Sequence, residues 1–164
     1  MNRYIDHREE ILAEFADRSE AKNLFIAAMY KSDRLDAAKT DAHPVLEAFD
    51  RELKEIQQVA CHIPEYKVFR DAVPSTERNN WNGKTMNRIV TDIEAKITLT
   101  AKEFFESECR EVCTIMHDVL LIYGDFYGDD QLLKKLQETT NQKFENLSME
   151  WAYKPPRHIN SHAG

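Results

Sequence analysis

The stretch VCTIMHDVLLIY, residues 112–123, decides the fold class of this chain. Two runs rich in β-branched and aliphatic residues are separated by only two residues, His117 and Asp118, and this spacing predicts a β-hairpin. His-Asp is not the Asn-Gly pair that favours a tight turn between two strands. The tip of the hairpin is therefore either an ordinary turn or a pair of residues selected for chemistry.

The sequence on both sides of the hairpin is predominantly helical. Apolar residues recur every three or four positions over residues 3–16, 19–31, 44–61, 86–107 and 130–145. Shorter helices are predicted at 33–39 and 64–72. The segment PSTERNNWNGKT, residues 74–85, is rich in turn-forming residues and predicts a loop. Four glycines and five prolines in 164 residues fit a mostly helical chain.

The last apolar segment, LSMEWAY at residues 147–153, alternates as a half-buried strand does. We therefore predict a third strand beside the hairpin. The predicted fold class is α+β, mostly helical, with a small antiparallel sheet made of the hairpin 112–123 and the strand 147–153. At this length we expect one domain, residues 1–153, followed by a flexible tail, residues 154–164.

The chain carries 29 Asp and Glu against 22 Lys and Arg, a formal net charge of −7. A free-standing nucleic-acid binder usually has a basic face, so bulk electrostatics would not attract DNA unless the chain belongs to a larger basic assembly. No apolar run approaches the roughly 18 residues that span a bilayer, and the charged, amphipathic N-terminal residues do not show the apolar stretch of a signal peptide. We expect no membrane association and a cytoplasmic or other intracellular location.

The three cysteines, Cys61, Cys109 and Cys113, contain no CxxC pair and are expected to be reduced thiols. Cys109, Cys113 and His117 are spaced by four, so a helix would align them as three ligands of a metal such as zinc. A strand over 112–116 would move Cys109 away from the other two. A metal-binding regulator is therefore one hypothesis for the chain, and zinc analysis would test it.

Two further groups of residues suggest phosphate and metal chemistry. In the predicted helix RSEAKNLFIAAMYK, four residues recur at a spacing of four and lie along one stripe, namely Arg18, Lys22, Ile26 and Tyr30. Two basic residues on neighbouring turns near a helix N-terminus can bind phosphate, although a solvated basic edge is the alternative. The Asp118 carboxylate at the hairpin tip can hold a hard cation such as Mg²⁺, although a plain turn residue is the alternative.

Taken together, these residues resemble the C-terminal half of the palm and fingers of family A DNA polymerases, over about residues 10–155. In that family, motif B is a fingers helix of the form R-x3-K-x3-[aromatic]-x3-Y-G, and motif C is a hairpin whose tip reads H-D-E. The stripe of residues 18–30 and the tip residues 117–118 stand at these motifs. A long helix leads into the hairpin, and an acidic loop, a helix and the expected strand follow it, as in the family.

This resemblance implies part of a nucleotidyltransferase that acts in DNA replication, of viral, phage or plasmid type. Arg18 and Lys22 would contact the triphosphate of the incoming nucleotide, and Lys22 would also act catalytically by stabilising the leaving pyrophosphate. Ile26 would pack on the nascent base pair, and Tyr30 would lie near the templating base. The implied partners are a DNA primer-template and a deoxynucleoside triphosphate.

The resemblance also implies how the hairpin would act. Asp118 would be a catalytic residue that coordinates Mg²⁺, and His117 would lie beside the primer end. The chemistry would be metal-assisted in-line attack of a 3′-hydroxyl on the α-phosphate. Val119 stands where motif C has a second acidic residue, Ile26 replaces the usual aromatic residue, and Lys31 replaces the glycine.

Motif A, whose aspartate shares the metals with motif C, would lie upstream of residue 1, in a missing segment or a separate polypeptide. A single carboxylate holds two metal ions poorly, so we expect the chain alone to have little or no polymerase activity. The alternative is a non-catalytic, mainly helical interaction domain or a degenerate polymerase relic. An exposed apolar patch would favour that alternative.

Overall fold

The computed structural model of this chain describes residues 2–31, 33, 35, 43–116, 119–126, 128–145 and 147–153. The chain divides into two compact units, the N-terminal unit Met1–Thr91 and the C-terminal unit Asp92–Gly164. The expectation of one domain over 1–153 stays a prediction. The predicted tail 154–164 and most of the predicted short helix 33–39 lie outside the described residues.

Helices build the described part of the N-terminal unit. These are α1 (Asn2–Asp6), α2 (Arg8–Ala13), α3 (Arg18–Tyr30), α4 (Pro44–Ala60) and α5 (Lys67–Asp71), with 3₁₀ helices at Pro64–Tyr66 and Ser75–Asn80. A longer helix, α6 (Trp81–Ser107), contributes residues to both units. Helix α3 begins after Asp17 because the Asp17 side chain accepts hydrogen bonds from the backbone N–H groups of Ser19 and Glu20, at 2.7 and 3.0 Å. The helix predicted over 3–16 is instead two helices, because the backbone of His7 leaves helical geometry (φ −125°, ψ 29°).

The core of the N-terminal unit lies where α3 packs against α4. The ring of Phe25, which is buried, stacks on Tyr4 at a centroid distance of 4.0 Å and meets Phe49 edge-on at 5.0 Å. Burying one such side chain stabilises a fold by roughly 1.5–3 kcal/mol. This aromatic cluster is therefore a principal stabilising contact of the unit.

The loop predicted at 74–85 was wrong, because these residues form a 3₁₀ helix and the first turn of α6. Contacts with the end of α3 determine the conformation of this segment despite its many turn-forming residues. Asn80 Nδ2 donates a hydrogen bond to the Tyr30 carbonyl at 3.0 Å. Gly83 lies so close to the same carbonyl that a Cβ atom would overlap it. The segment is thus ordered by its contact with the end of α3.

The C-terminal unit contains the end of α6, the hairpin and α7 (Asp130–Lys143). The predicted hairpin is confirmed, since β1 (Val112–Met116) pairs antiparallel with β2 (Val119–Ile122). The buried core of the unit consists of apolar residues from α6 and α7, namely Ala101, Phe104, Phe105, Leu132 and Leu136. One face of the hairpin packs against this core.

The third strand predicted at 147–153 was wrong, because the described sheet contains only β1 and β2. The side chain of Asn141, on α7, forms hydrogen bonds with both backbone groups of Met149. The Met149 N–H donates to Asn141 Oδ1 at 2.7 Å, and Asn141 Nδ2 donates to the Met149 carbonyl at 3.4 Å. Trp151 Nε1 donates to Thr140 Oγ1 at 3.1 Å. The alternating segment is therefore anchored to a helix, and the observed fold is mostly helical with a two-stranded antiparallel sheet.

Candidate functional site

Three of the four predicted nucleotide-binding residues lie on the exposed surface of α3. Arg18, Lys22 and Ile26 are exposed, and Tyr30 is half-buried. The Arg18 guanidinium donates a hydrogen bond to the Glu9 carboxylate at 2.6 Å. This ion pair raises the pKa of Arg18 and lowers the pKa of Glu9. The first residue of the stripe is therefore paired with a carboxylate of its own chain.

The last turn of α3 has a structural role. The final carbonyl groups of a helix have no partner within the helix and need one from elsewhere. Lys54 Nζ donates to the Ala28 carbonyl at 2.7 Å, and Gln57 Nε2 donates to the Met29 carbonyl at 2.5 Å. These two side chains of α4 cap α3 and fix its C-terminal end against the core. The end of the stripe at Tyr30 therefore lies in a helix turn that is packed against α4.

The two residues predicted at the hairpin tip, His117 and Asp118, lie outside the described residues. They belong to the C-terminal unit, whereas the α3 stripe belongs to the N-terminal unit. The predicted Mg²⁺ site at Asp118 and the predicted primer-end position of His117 both stay predictions.

Cys109 and Cys113 do not lie on one helix, as the hypothesis of a metal site with His117 requires. Cys109 has a left-handed backbone (φ 57°) after the end of α6, and Cys113 lies in β1. Within the described ranges, no three His, Cys, Asp or Glu side chains are grouped as metal ligands, and His117 is not among those residues. Cys61 is fully buried, and burial raises the pKa of its thiol, which disfavours the reactive thiolate.

One face of the hairpin exposes three large apolar side chains. Residues directly opposite each other in an antiparallel pair share a face, and the register pairs Thr114 with Leu121 and Met116 with Val119. Tyr123 follows Leu121 at the strand period of two. The exposed fractions are 53% for Met116, 47% for Leu121 and 73% for Tyr123. We call Met116, Leu121 and Tyr123 together the hairpin outer face.

The other face of the hairpin is partly covered, and Ile115, which pairs with Leu120 on that face, is 38% exposed. Val112, Leu120 and Ile122 pack against the core of the C-terminal unit. A sheet with one solvated face normally alternates apolar and polar residues, whereas an unbroken apolar run is typical of a strand that is covered on both faces. VLLIY, residues 119–123, is apolar at every position. The sequence could therefore have indicated that both faces of this strand are apolar, although the run by itself predicts only a strand.

Acidic residues accompany this apolar face. The C-terminal unit contains thirteen Asp and Glu against eight Lys and Arg, a net charge of −5. The Tyr123 N–H donates to the Glu111 carbonyl at 2.9 Å, so Glu111 lies opposite Tyr123 at the open end of the hairpin. Glu111 and Asp125 are both exposed. The surface is therefore an apolar patch with carboxylates close to one end.

Comparisons of this chain with protein-family models, with curated protein sequences and with solved structures gave no match. Among the helices of the described residues, none is long and apolar enough to cross a membrane. The function is therefore inferred from the surfaces of the chain itself.

Proposed function

We propose that this chain is a non-catalytic interaction domain that binds a partner protein through the hairpin outer face. The observation that carries the proposal is the exposure of Met116, Leu121 and Tyr123 on one face of a two-stranded sheet. Contiguous exposed apolar surface on a soluble protein commonly marks an interaction site. Covering these partly exposed side chains would contribute on the order of 1 kcal/mol each.

The charge of the C-terminal unit indicates the chemistry of the partner. With a net charge of −5 on the unit, a basic amphipathic segment is complementary, because its apolar stripe would cover the outer face while its Lys and Arg side chains meet Glu111 and Asp125. Such rim charges mainly accelerate association and are screened by salt. The affinity should therefore fall as the salt concentration rises.

A synthetic amphipathic peptide of leucine and lysine, about 18 residues or five helical turns long, is a direct probe. The same peptide with glutamate in place of lysine is its charge-reversed control. Fluorescence anisotropy should show that the chain binds the lysine peptide at least about tenfold more tightly, because like charges at the rim oppose the glutamate peptide.

Substitution then locates the binding surface. Leu121→Ser should weaken binding of the lysine peptide about five- to tenfold, since roughly 1 kcal/mol of apolar burial is lost. Leu99→Ser is the matched control, because Leu99 lies on α6 in the same unit and is 52% exposed. Equal affinity for the two peptides, or equal weakening by the two substitutions, would contradict the proposal.

The polymerase hypothesis is a second candidate, supported by the exposure of Arg18, Lys22 and Ile26 on one helix at the motif B spacing. In this hypothesis the chain binds a deoxynucleoside triphosphate with Mg²⁺ at Asp118 and supports DNA synthesis only together with a polypeptide that carries motif A. The chain alone should therefore show little or no Mg²⁺-dependent primer extension.

Nucleotide binding separates the two candidates. If the second candidate holds, calorimetry should detect a deoxynucleoside triphosphate bound in the presence of Mg²⁺, and Lys22→Ala should weaken that binding about tenfold by removing a charged hydrogen bond. Arg51→Ala, at an exposed position of α4, is the matched control. Absence of nucleotide binding by the unchanged chain would exclude this candidate and leave the interaction domain.

A further inference from the structure

The N-terminal unit contains a cavity that shares no lining residue with the α3 stripe. Its volume is about 470 Å³, and its lining residues are Arg70, Asp71, Val73, Arg78 and Trp81. They come from the end of α5, the 3₁₀ helix Ser75–Asn80 and the first residue of α6, with Val73 in the connection between α5 and the 3₁₀ helix. The volume lies in the range of small-molecule sites.

Arg70 and Trp81 hold each other in place at this cavity. Trp81 Nε1 donates to the Arg70 carbonyl at 3.2 Å, and the Arg70 guanidinium carbon lies 5.9 Å from the centroid of the Trp81 ring. Arg70 Nη1 also donates to the Cys61 carbonyl at 3.1 Å, and Arg70 Nε lies 3.7 Å from an Asp71 carboxylate oxygen. A guanidinium has five N–H donors, so Arg70 retains donors for a ligand.

The two acidic residues near the cavity are already paired with basic side chains, and Asp71 is paired with both Lys67 and Arg70. Lys67 donates a hydrogen bond to Asp71, and this contact lowers the pKa of the Asp71 carboxyl. Glu77 pairs with Lys84 at 3.6 Å. Arg78 is exposed, and within the described part of the chain no carboxylate forms an ion pair with it. The cavity therefore presents positive charge although the whole chain is acidic.

We propose that this cavity binds a small aromatic phosphate. The ring of Trp81 and the buried side chain of Val73 provide an apolar wall for a planar ring. Arg70 and Arg78 provide two guanidinium groups, whose planar donors match phosphate oxygens. A phosphate dianion balances two such cations, whereas a carboxylate balances one. This site goes beyond the proposed interaction function and does not depend on it.

Tryptophan fluorescence tests the site directly. The chain has two tryptophans, so Trp151→Phe leaves Trp81 as the only indole reporter. Titration with phenyl phosphate should change the Trp81 emission with a Kd of about 1 mM or tighter. Adenosine 5′-monophosphate is the second ligand, and it tests whether the site accepts an aromatic ring that is separated from the phosphate by a sugar. Binding of either ligand supports the proposal, and binding of neither overturns it.

Because Trp151 donates a hydrogen bond to Thr140, calorimetry with the unchanged chain and the same ligands provides a measurement that needs no substitution. Arg78→Ala should raise the Kd about tenfold, and Arg51→Ala should leave it unchanged. Inorganic phosphate and phenol, the two halves of phenyl phosphate, should each bind more weakly than the whole. Equal effects of the two arginine substitutions, or equal binding of either half, would overturn the assignment.

Discussion

At the scale of single residues, Gly83 explains why a glycine stands inside the first turns of α6. Glycine in a helix normally costs about 1 kcal/mol relative to alanine. Here the Tyr30 carbonyl and the Asn80 side chain occupy the space that a Cβ atom would need. The glycine therefore allows α6 to approach the C-terminal end of α3.

Gly83→Ala should lower the free energy of unfolding by about 2 kcal/mol, because the overlap with the Tyr30 carbonyl exceeds the gain in helix propensity. Urea denaturation measures the change. Asn87→Ala, at an exposed position of the same helix, is the matched control and should be neutral or slightly stabilising. A rise in stability on Gly83→Ala would show that the two helices do not approach as closely as described.

Residue spacing predicted the stripe on α3 but not the contacts of its members. The spacing of four correctly indicated that Arg18 and Lys22 lie on one helix, because helical periodicity is a local property. It did not indicate that Arg18 pairs with Glu9, since that ion pair depends on how the chain turns between α2 and α3. The nucleotide-binding role of the stripe stays a prediction.

At the scale of elements, local signals were sufficient for the hairpin and misleading for two other segments. The hairpin needs only two strand-forming runs at the right separation. Residues 74–85 have the composition of a loop and residues 147–153 have the pattern of a strand, yet both take their conformation from contacts with other elements. Propensity is a weak guide where such contacts are available.

Asn141→Ala should release the segment 147–153 from α7, because Met149 loses the partner of both its backbone groups. The expected cost is about 1–2 kcal/mol of unfolding free energy, with faster hydrogen exchange at the Met149 amide. Gln142→Ala, at the exposed neighbouring position of α7, is the matched control. Unchanged exchange at Met149 would argue against this anchor.

At the scale of the whole molecule, charge is distributed unevenly. The C-terminal unit carries −5 of the net charge of −7, and the same unit exposes the hairpin outer face. The net negative charge of the C-terminal unit disfavours DNA and favours basic partners. This negative charge is the reason why the proposed partner of the hairpin is a basic amphipathic segment. The cavity near Trp81 is proposed to bind an anion for a different reason, namely the two arginines that line it.

The candidate sites were only partly predictable from the sequence. The unbroken run VLLIY indicates a strand without a polar face, but it does not say which face the core covers. The basic residues Arg70 and Arg78 are eight positions apart in a segment predicted as helix and loop, so no periodic pattern connects them. A cavity depends on the path of the backbone between such residues.

The sequence by itself determined the main helices, the hairpin and the acidic balance of this protein, because these follow from the order and kind of neighbouring residues. Only the tertiary structure decided that Leu121 and Tyr123 are exposed, that residues 147–153 bind a helix side chain, and that Gly83 meets the end of α3. The physical reason is that burial and hydrogen-bond partners are set by contacts between elements, which no local pattern contains.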